Sequence, residues 1–220
     1  RNDSDVRVSL NCVCVSCLGG VSVCLFYSIP SYSYFSSLGL LLFFILAYTH
    51  KFSLNPAIGL QAAFLGFIAG SCISSIVFSS SIQSTIFFVY LFLLCFFHFS
   101  EFLLTAVTNR RALQADSFLL NHSWAYWIAA WSAWTEYWIE AYFFPSSKNV
   151  FCLFLGVLLC LTGEILRKGA MVEAGLAFTH RLALTKRVDH RLITTGIYSY
   201  MRHPGYVGWF IWSAGTQVRL

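Results

Sequence analysis

Charge is what this chain has least of. Only 10% of its 220 residues are Asp, Glu, Lys or Arg, against about a quarter in soluble domains, and 58% are hydrophobic. The few charges are clustered, so long uncharged runs remain. That pattern excludes an ordinary soluble domain and predicts an integral membrane protein, because about 20 apolar residues span a bilayer core. No basic helix with interleaved aromatics stands outside the apolar runs, so the net charge of +5 does not point to nucleic acid. Nor do the eight cysteines show zinc spacing. Cys12, Cys14 and Cys17 lack a second cluster or nearby histidines, and the eight read as small packing residues with no metal expected. An initiator Met is absent, since Arg1 comes first, so the N-terminus is expected to be missing or processed. The first apolar run has no clear cleavage pattern and reads as a helix rather than a signal peptide.

Hydropathy predicts membrane spans at about 8–29, 35–49, 57–79, 84–106, 118–144, 149–166 and 206–220. The expected fold class is all-α: one polytopic membrane helical bundle over 1–220, with a polar cytoplasmic loop at 167–205 between the last two spans. Pro30 and Ser31 separate the first two spans as a hairpin. With a cytoplasmic N-terminus, Arg1, Arg7, Lys51, Arg110, Arg111, Arg167, Lys168, Arg181, Lys186, Arg187, Arg191 and Arg202 face the cytoplasm. These are twelve of the fourteen cations, as the positive-inside rule requires. Lys148 and Arg219 fall outside. The sequon at Asn121 lies on the cytoplasmic side in this topology, so it is expected to stay unglycosylated.

Several features inside the spans have two readings. Trp124, Trp127, Trp131, Trp134 and Trp138 lie along one helical stripe, either a wall for a long hydrocarbon or helix packing with interfacial anchoring. Glu136 and Glu140 sit one turn apart beside that stripe, near its outer end. Gly66 and Gly70 permit close helix approach. Ionisable residues in spans are costly and draw functional suspicion. His98 and Glu101 share a face, as do Glu164, Arg167 and Lys168. Either these are intrahelical contacts, or Glu101, Glu164 and Arg167 converge beside the polar loop.

That loop is expected to continue as helix to about Gly175, to pass through an extended piece near 178–184, and to turn at Gly196. Arg202-His203-Pro204-Gly205-Tyr206 then enters an apolar run. Pro204 suits a first helical turn, and His203 and Tyr206 share a face at a helix N-terminus, whose free N–H groups suit a polar cofactor. From spacing alone, the same residues could simply cap a helix at the membrane surface.

Three separated blocks resemble the isoprenylcysteine carboxyl methyltransferase family. They are Gly196-Ile197-Tyr198-Ser199-Tyr200-Met201 running into the Arg202–Tyr206 motif and on to Trp212, His98-Phe99-Ser100-Glu101 with Asp116 to His122 downstream, and Gly163-Glu164-Ile165-Leu166-Arg167-Lys168 on to Met171. The resemblance covers about 90–220. It implies S-adenosyl-L-methionine as cofactor and methyl transfer to the C-terminal carboxylate of a prenylated cysteine. It implies prenylated CaaX-processed proteins of the small GTPase type as substrates, in a multi-pass endoplasmic reticulum membrane protein in contact with lipid. His190, Arg191, Leu192, Ile193, Tyr198, His203, Pro204, Gly205 and Tyr206 would line the cofactor pocket. Arg167 would place the substrate electrostatically, with Glu164 positioning it. A carboxylate is ionised near pH 7 and needs no general base; the protein must align it and strip its water.

Two departures matter. A family contact that is usually Gln falls at Ala183. The family pattern also continues past a further hairpin to an Arg-bearing segment and paired glutamates that lie beyond Leu220, so little activity is expected of 1–220 alone. The Arg-His-Pro-x-Tyr element also occurs in other membrane methyltransferases and in sterol reductases. The competing readings are therefore a related membrane methyltransferase, a sterol reductase, and a non-catalytic prenyl-binding scaffold.

Overall fold

The computed structural model describes residues 2–25, 55–120, 123–180 and 192–219. The span expected at 35–49, Asn121, Ala183, His190 and Arg191 lie outside the described residues. Six α-helices are described: α1 (Asn2–Leu25), α2 (Pro56–Phe78), α3 (Ile82–Thr108), α4 (Trp124–Phe143), α5 (Val150–Ala174) and α6 (Pro204–Arg219), with short 3-10 turns between some of them. No strand occurs among the described residues. Among the described residues, three helical stretches are long and apolar enough to cross a membrane: Pro56–Phe78, Ile82–Thr108 and Val150–Ala177. The fold is an all-α membrane fold. Its chain divides into two compact units, Arg1–Ser100 with Gln114–Leu120, and Glu101–Leu113 with Asn121–Leu220.

In the first unit, α1 starts earlier than hydropathy predicts. Asp3 and Asp5 occupy its first turn, where carboxylates face the positive end of the helix dipole. Asn55 caps α2 by accepting from the Ala57 N–H at 3.1 Å, with Pro56 opening the helix. Ser9, Cys12 and Ser16 are buried on α1, and Ala62, Ala63 and Ser74 on α2. A Cβ added at Gly66 would lie 2.8 Å from the Val13 Cα, and one at Gly70 2.9 Å from the Cys17 Cα. Rising numbers meet rising numbers, so α1 and α2 run parallel with their backbones in contact, the packing that small residues allow in lipid. His98 is buried, and its Nδ1 lies 2.8 Å from the Phe118 carbonyl oxygen. A carbonyl only accepts, so Nδ1 carries the proton. This bond holds the 3-10 turn Ala115–Phe118, after which Leu119 takes φ 57°.

In the second unit, the helix expected from residue 118 begins instead at Trp124. Ser123 caps it by accepting from the Tyr126 N–H at 3.2 Å; Phe118 and Leu119 look helical by hydropathy, but the left-handed Leu119 breaks the run. A 3-10 turn at Pro145–Ser147 leads on to α5. Just after it, Lys148, one of the two cations that the topology leaves outside, is buried. Its ammonium donates to Glu140 at 2.6 Å and lies 4.8 Å from the Tyr137 ring centre. Helix α5 runs eight residues past the expected end at 166, to Ala174, where Gly175 takes φ +51°. The basic pair Arg167–Lys168 does not stop it, because both side chains are paired within the protein. Helices α5 and α6 are antiparallel. A Cβ at Gly163 would meet the Trp212 N at 2.5 Å, and one at Gly215 the Cys160 N at 2.8 Å.

Candidate active site

The second unit gathers its ionisable groups around the start of α6. Glu101, fully buried near the end of α3, accepts two parallel hydrogen bonds from Arg167 of α5: Nε to Oε1 at 2.6 Å and Nη2 to Oε2 at 2.9 Å. Such forked pairing is the strong, orientation-specific mode of guanidinium binding. The same guanidinium donates from Nη1 to the Gly205 carbonyl at 3.3 Å. Lys168 also bonds Glu101 and lies 3.4 Å from Glu164 Oε2. Burying a lone carboxylate costs several kcal/mol, on the order of the cost of an unpaired ion; here two cations offset it.

The shared face expected for Glu164, Arg167 and Lys168 is therefore divided. Lys168 is Glu164's ionic neighbour, while Arg167 turns to Glu101. Neither Glu164 carboxylate oxygen receives a hydrogen bond from the described residues, although both are buried. Glu101 and Arg167 do come together beside the loop, as convergence predicts, and Glu164 joins them only through Lys168.

The motif itself splits into a buried half and an open half. Pro204 and Gly205 are buried, while His203 and Tyr206 are exposed, their rings 6.0 Å apart and edge to face. The Tyr206 and Val207 N–H groups both bond the His203 carbonyl, at 3.1 Å each, which winds the first turn of α6. Gly205 is closely packed, since a Cβ there would meet the Phe178 ring at 3.2 Å. The result is a pair of aromatic rings, open on one side, held on a backbone gripped from below.

The incoming segment is pinned separately. Gly196 takes φ +54°, and its Cα lies against the Glu173 carboxylate, to which Thr195 Oγ1 donates at 2.6 Å. The Tyr198 hydroxyl donates to the Ala170 carbonyl at 3.3 Å. Burial, and then the Glu173 carboxylate, push the Tyr198 phenol above its ordinary pKa, so it stays a neutral donor. Leu192 is exposed and Ile193 half-buried. Glu173, Thr105 and Asn109 are the contributors that sequence reasoning missed, and Lys168 and His180 contribute without having been placed in the site. The signal available was spacing: Glu101, Thr105 and Asn109 recur every four residues along the last turns and end of one helix.

A family model described as "Isoprenylcysteine carboxyl methyltransferase (ICMT) family" matches residues 155–220, which include Arg167, the Tyr198 turn and the whole His203–Tyr206 face. Protein-S-isoprenylcysteine O-methyltransferase of Schizosaccharomyces pombe is 40% identical over 74% of this chain and 74% of its own length. The chain belongs to the isoprenylcysteine carboxyl methyltransferase family. Like-named relatives from Homo sapiens and Tribolium castaneum are 48% and 44% identical over 74% and 81% of this chain. The matched region spans 57% and 63% of those two relatives' lengths. A solved structure of the eukaryotic intramembrane Ras methyltransferase of this family matches with TM-score 0.84 and 35% identity, over 98% of this chain and 79% of that one. Family membership therefore covers the helical membrane fold, and the matched residues 155–220 include most of α5 and all of α6.

Proposed function

We propose that this chain forms the methyl-donor face of an enzyme that methylates the C-terminal carboxylate of prenylated cysteine in CaaX-processed proteins of the small GTPase type. S-adenosyl-L-methionine is the donor, and the endoplasmic reticulum membrane is the setting. The observation that carries this reading is the open His203–Tyr206 pair above the buried, clamped Pro204–Gly205 backbone. The fit is chemical: two exposed aromatic rings offer stacking surface for a nucleobase and two polar tips for its heteroatoms. Tyr198, Leu192 and Ile193 flank the same segment, and His190 and Arg191 belong to the set by motif.

Bound there, the donor would supply an electrophilic methyl group on a sulfonium. What remains for the protein is placement. The acceptor carboxylate is already ionised near neutral pH, so alignment and water removal govern the rate. Arg167 lies under the start of α6 with its charge partly balanced by Glu101, where it draws a carboxylate toward the face; Glu164 and Lys168 set the charge beside it. The prenyl tail remains in the apolar phase. The exposed indoles Trp124, Trp131 and Trp138 of α4 offer a surface either for that tail or for lipid.

Equilibrium binding to the full-length protein in membranes tests this. S-adenosylhomocysteine should displace labelled donor while nicotinamide dinucleotides should not, and a farnesylcysteine acceptor should gain label. Displacement by the nicotinamide instead would support reductase chemistry, and donor binding without transfer to any prenylcysteine would leave the acceptor assignment wrong.

A further inference from the structure

Helix α3 and the residue that follows it present three buried polar residues, Glu101, Thr105 and Asn109, at intervals of four, with the Asn109 N–H still bonded to the Thr105 carbonyl at 2.9 Å, so they stack on one face. Polar groups buried on an apolar helix are costly unless paired, and each of these is paired. The Thr105 hydroxyl donates to the Glu101 carbonyl at 2.8 Å and lies 2.9 Å from His180 Nε2. With its proton used on the carbonyl, the hydroxyl accepts from the imidazole. Asn109 Nδ2 donates to the carbonyls of Leu176 and Phe178, at 3.3 and 3.1 Å. The stripe thus holds α5 at Arg167 and holds the segment that follows α5 at residues 176–180.

Both grips end on Gly205. From one side Glu101 fixes Arg167, whose Nη1 donates to the Gly205 carbonyl. From the other, Asn109 fixes the backbone of Phe178, whose ring packs against Gly205, 3.2 Å from where a Cβ would sit. Gly205 lies between His203 and Tyr206, so its position sets the orientation of both rings.

We propose that the Glu101–Thr105–Asn109 stripe is the positioning element of the methyl-donor face, Glu101 acting on Gly205 through Arg167 and Asn109 acting on it through Phe178. This rests on the donor-binding reading above. None of the three residues need touch donor or acceptor. The stripe is a set of positioning residues one step behind the face.

Donor affinity of the folded, full-length protein in membranes, with labelled S-adenosylmethionine as probe, is the decisive readout. Asn109→Ala and Glu101→Gln should each weaken binding about tenfold, roughly 1.4 kcal/mol, while Glu136→Gln on an exposed part of α4 leaves it unchanged. If Glu101 works through Arg167, Glu101→Gln added to Arg167→Met should cause no further loss. A purely structural role would lower thermal stability but leave the affinity of the folded fraction intact. Folded Asn109→Ala and Glu101→Gln proteins that bind donor within twofold of the parent overturn the proposal, as do losses that multiply in the double variant. Should Glu101→Gln fail to fold, Asn109→Ala alone decides. Failure of the unaltered protein to bind donor refutes the donor-face reading itself, an outcome distinct from normal binding by the parent and its variants.

Discussion

Adding one methyl group at Gly208 should loosen the site from a distance. A Cβ there would lie 2.6 Å from the Arg167 N, 2.7 Å from the Gly163 carbonyl oxygen and 2.9 Å from the Arg167 Cβ, where ordinary contact begins at 3.4 Å. Two of these neighbours are backbone atoms, which cannot rotate away. Helices α5 and α6 must therefore part by about 0.8 Å, a strain that typically costs 1–3 kcal/mol. Alanine regains about 1 kcal/mol of helix propensity, leaving a net loss of about 1 kcal/mol. The larger effect falls on function. The Arg167–Gly205 bond is already 3.3 Å long, and parting the helices by that much takes it beyond hydrogen-bonding reach. Gly169, on the facing helix α5, is the internal control, because a Cβ there meets nothing within 4 Å; Gly169→Ala should be neutral or stabilising by up to about 1 kcal/mol. Thermal unfolding in detergent together with donor affinity reads both variants. Gly208→Ala matching Gly169→Ala in midpoint and in affinity would refute the close-packed α5–α6 seam.

Gly196→Ala places a Cβ 2.5 Å from the Glu173 Cδ at a left-handed φ of +54°. It should cost about 1–2 kcal/mol locally and speed proteolysis at residues 192–199 before global unfolding. Lys148→Met removes a buried cation from Glu140, whose side chain is 42% exposed; water can replace the lost partner, so thermal stability should fall by no more than about 1 kcal/mol. His98→Ala removes the imidazole hydrogen bond to the buried Phe118 carbonyl and should cost about 1–3 kcal/mol, read as a lower unfolding midpoint. Residues 115–120 should become more open to protease in the same variant.

Much of this arrangement is legible in the sequence, and the rest is not for identifiable reasons. Helices α2, α3 and α5 follow from apolar run length, and Gly66-x-x-x-Gly70 marks a close contact because glycines four apart share a helix face. That its partner is the Val13–Cys17 stretch of α1 depends on register, which no local pattern carries. The basic pair Arg167–Lys168 suggests a helix leaving the membrane, yet α5 continues because Glu101, distant in sequence, accepts from both. Asn109 looks like an ordinary residue at a helix end, and Glu173 like a solvated surface charge. Their roles exist only once residues 176–180 and 195–198 fold back on them. The His203–Tyr206 face was readable because Pro at the first helical position and a three-residue spacing are local signals.

Photocrosslinking of labelled S-adenosylmethionine to the full-length protein, followed by mapping of the adduct, addresses the central claim most directly. Label should fall on the peptide that carries His203 and Tyr206, and both His203→Ala and Tyr206→Ala should reduce it in step with donor affinity. Saturable labelling confined to another segment, undiminished in those two variants, would contradict the assignment of the donor to this face.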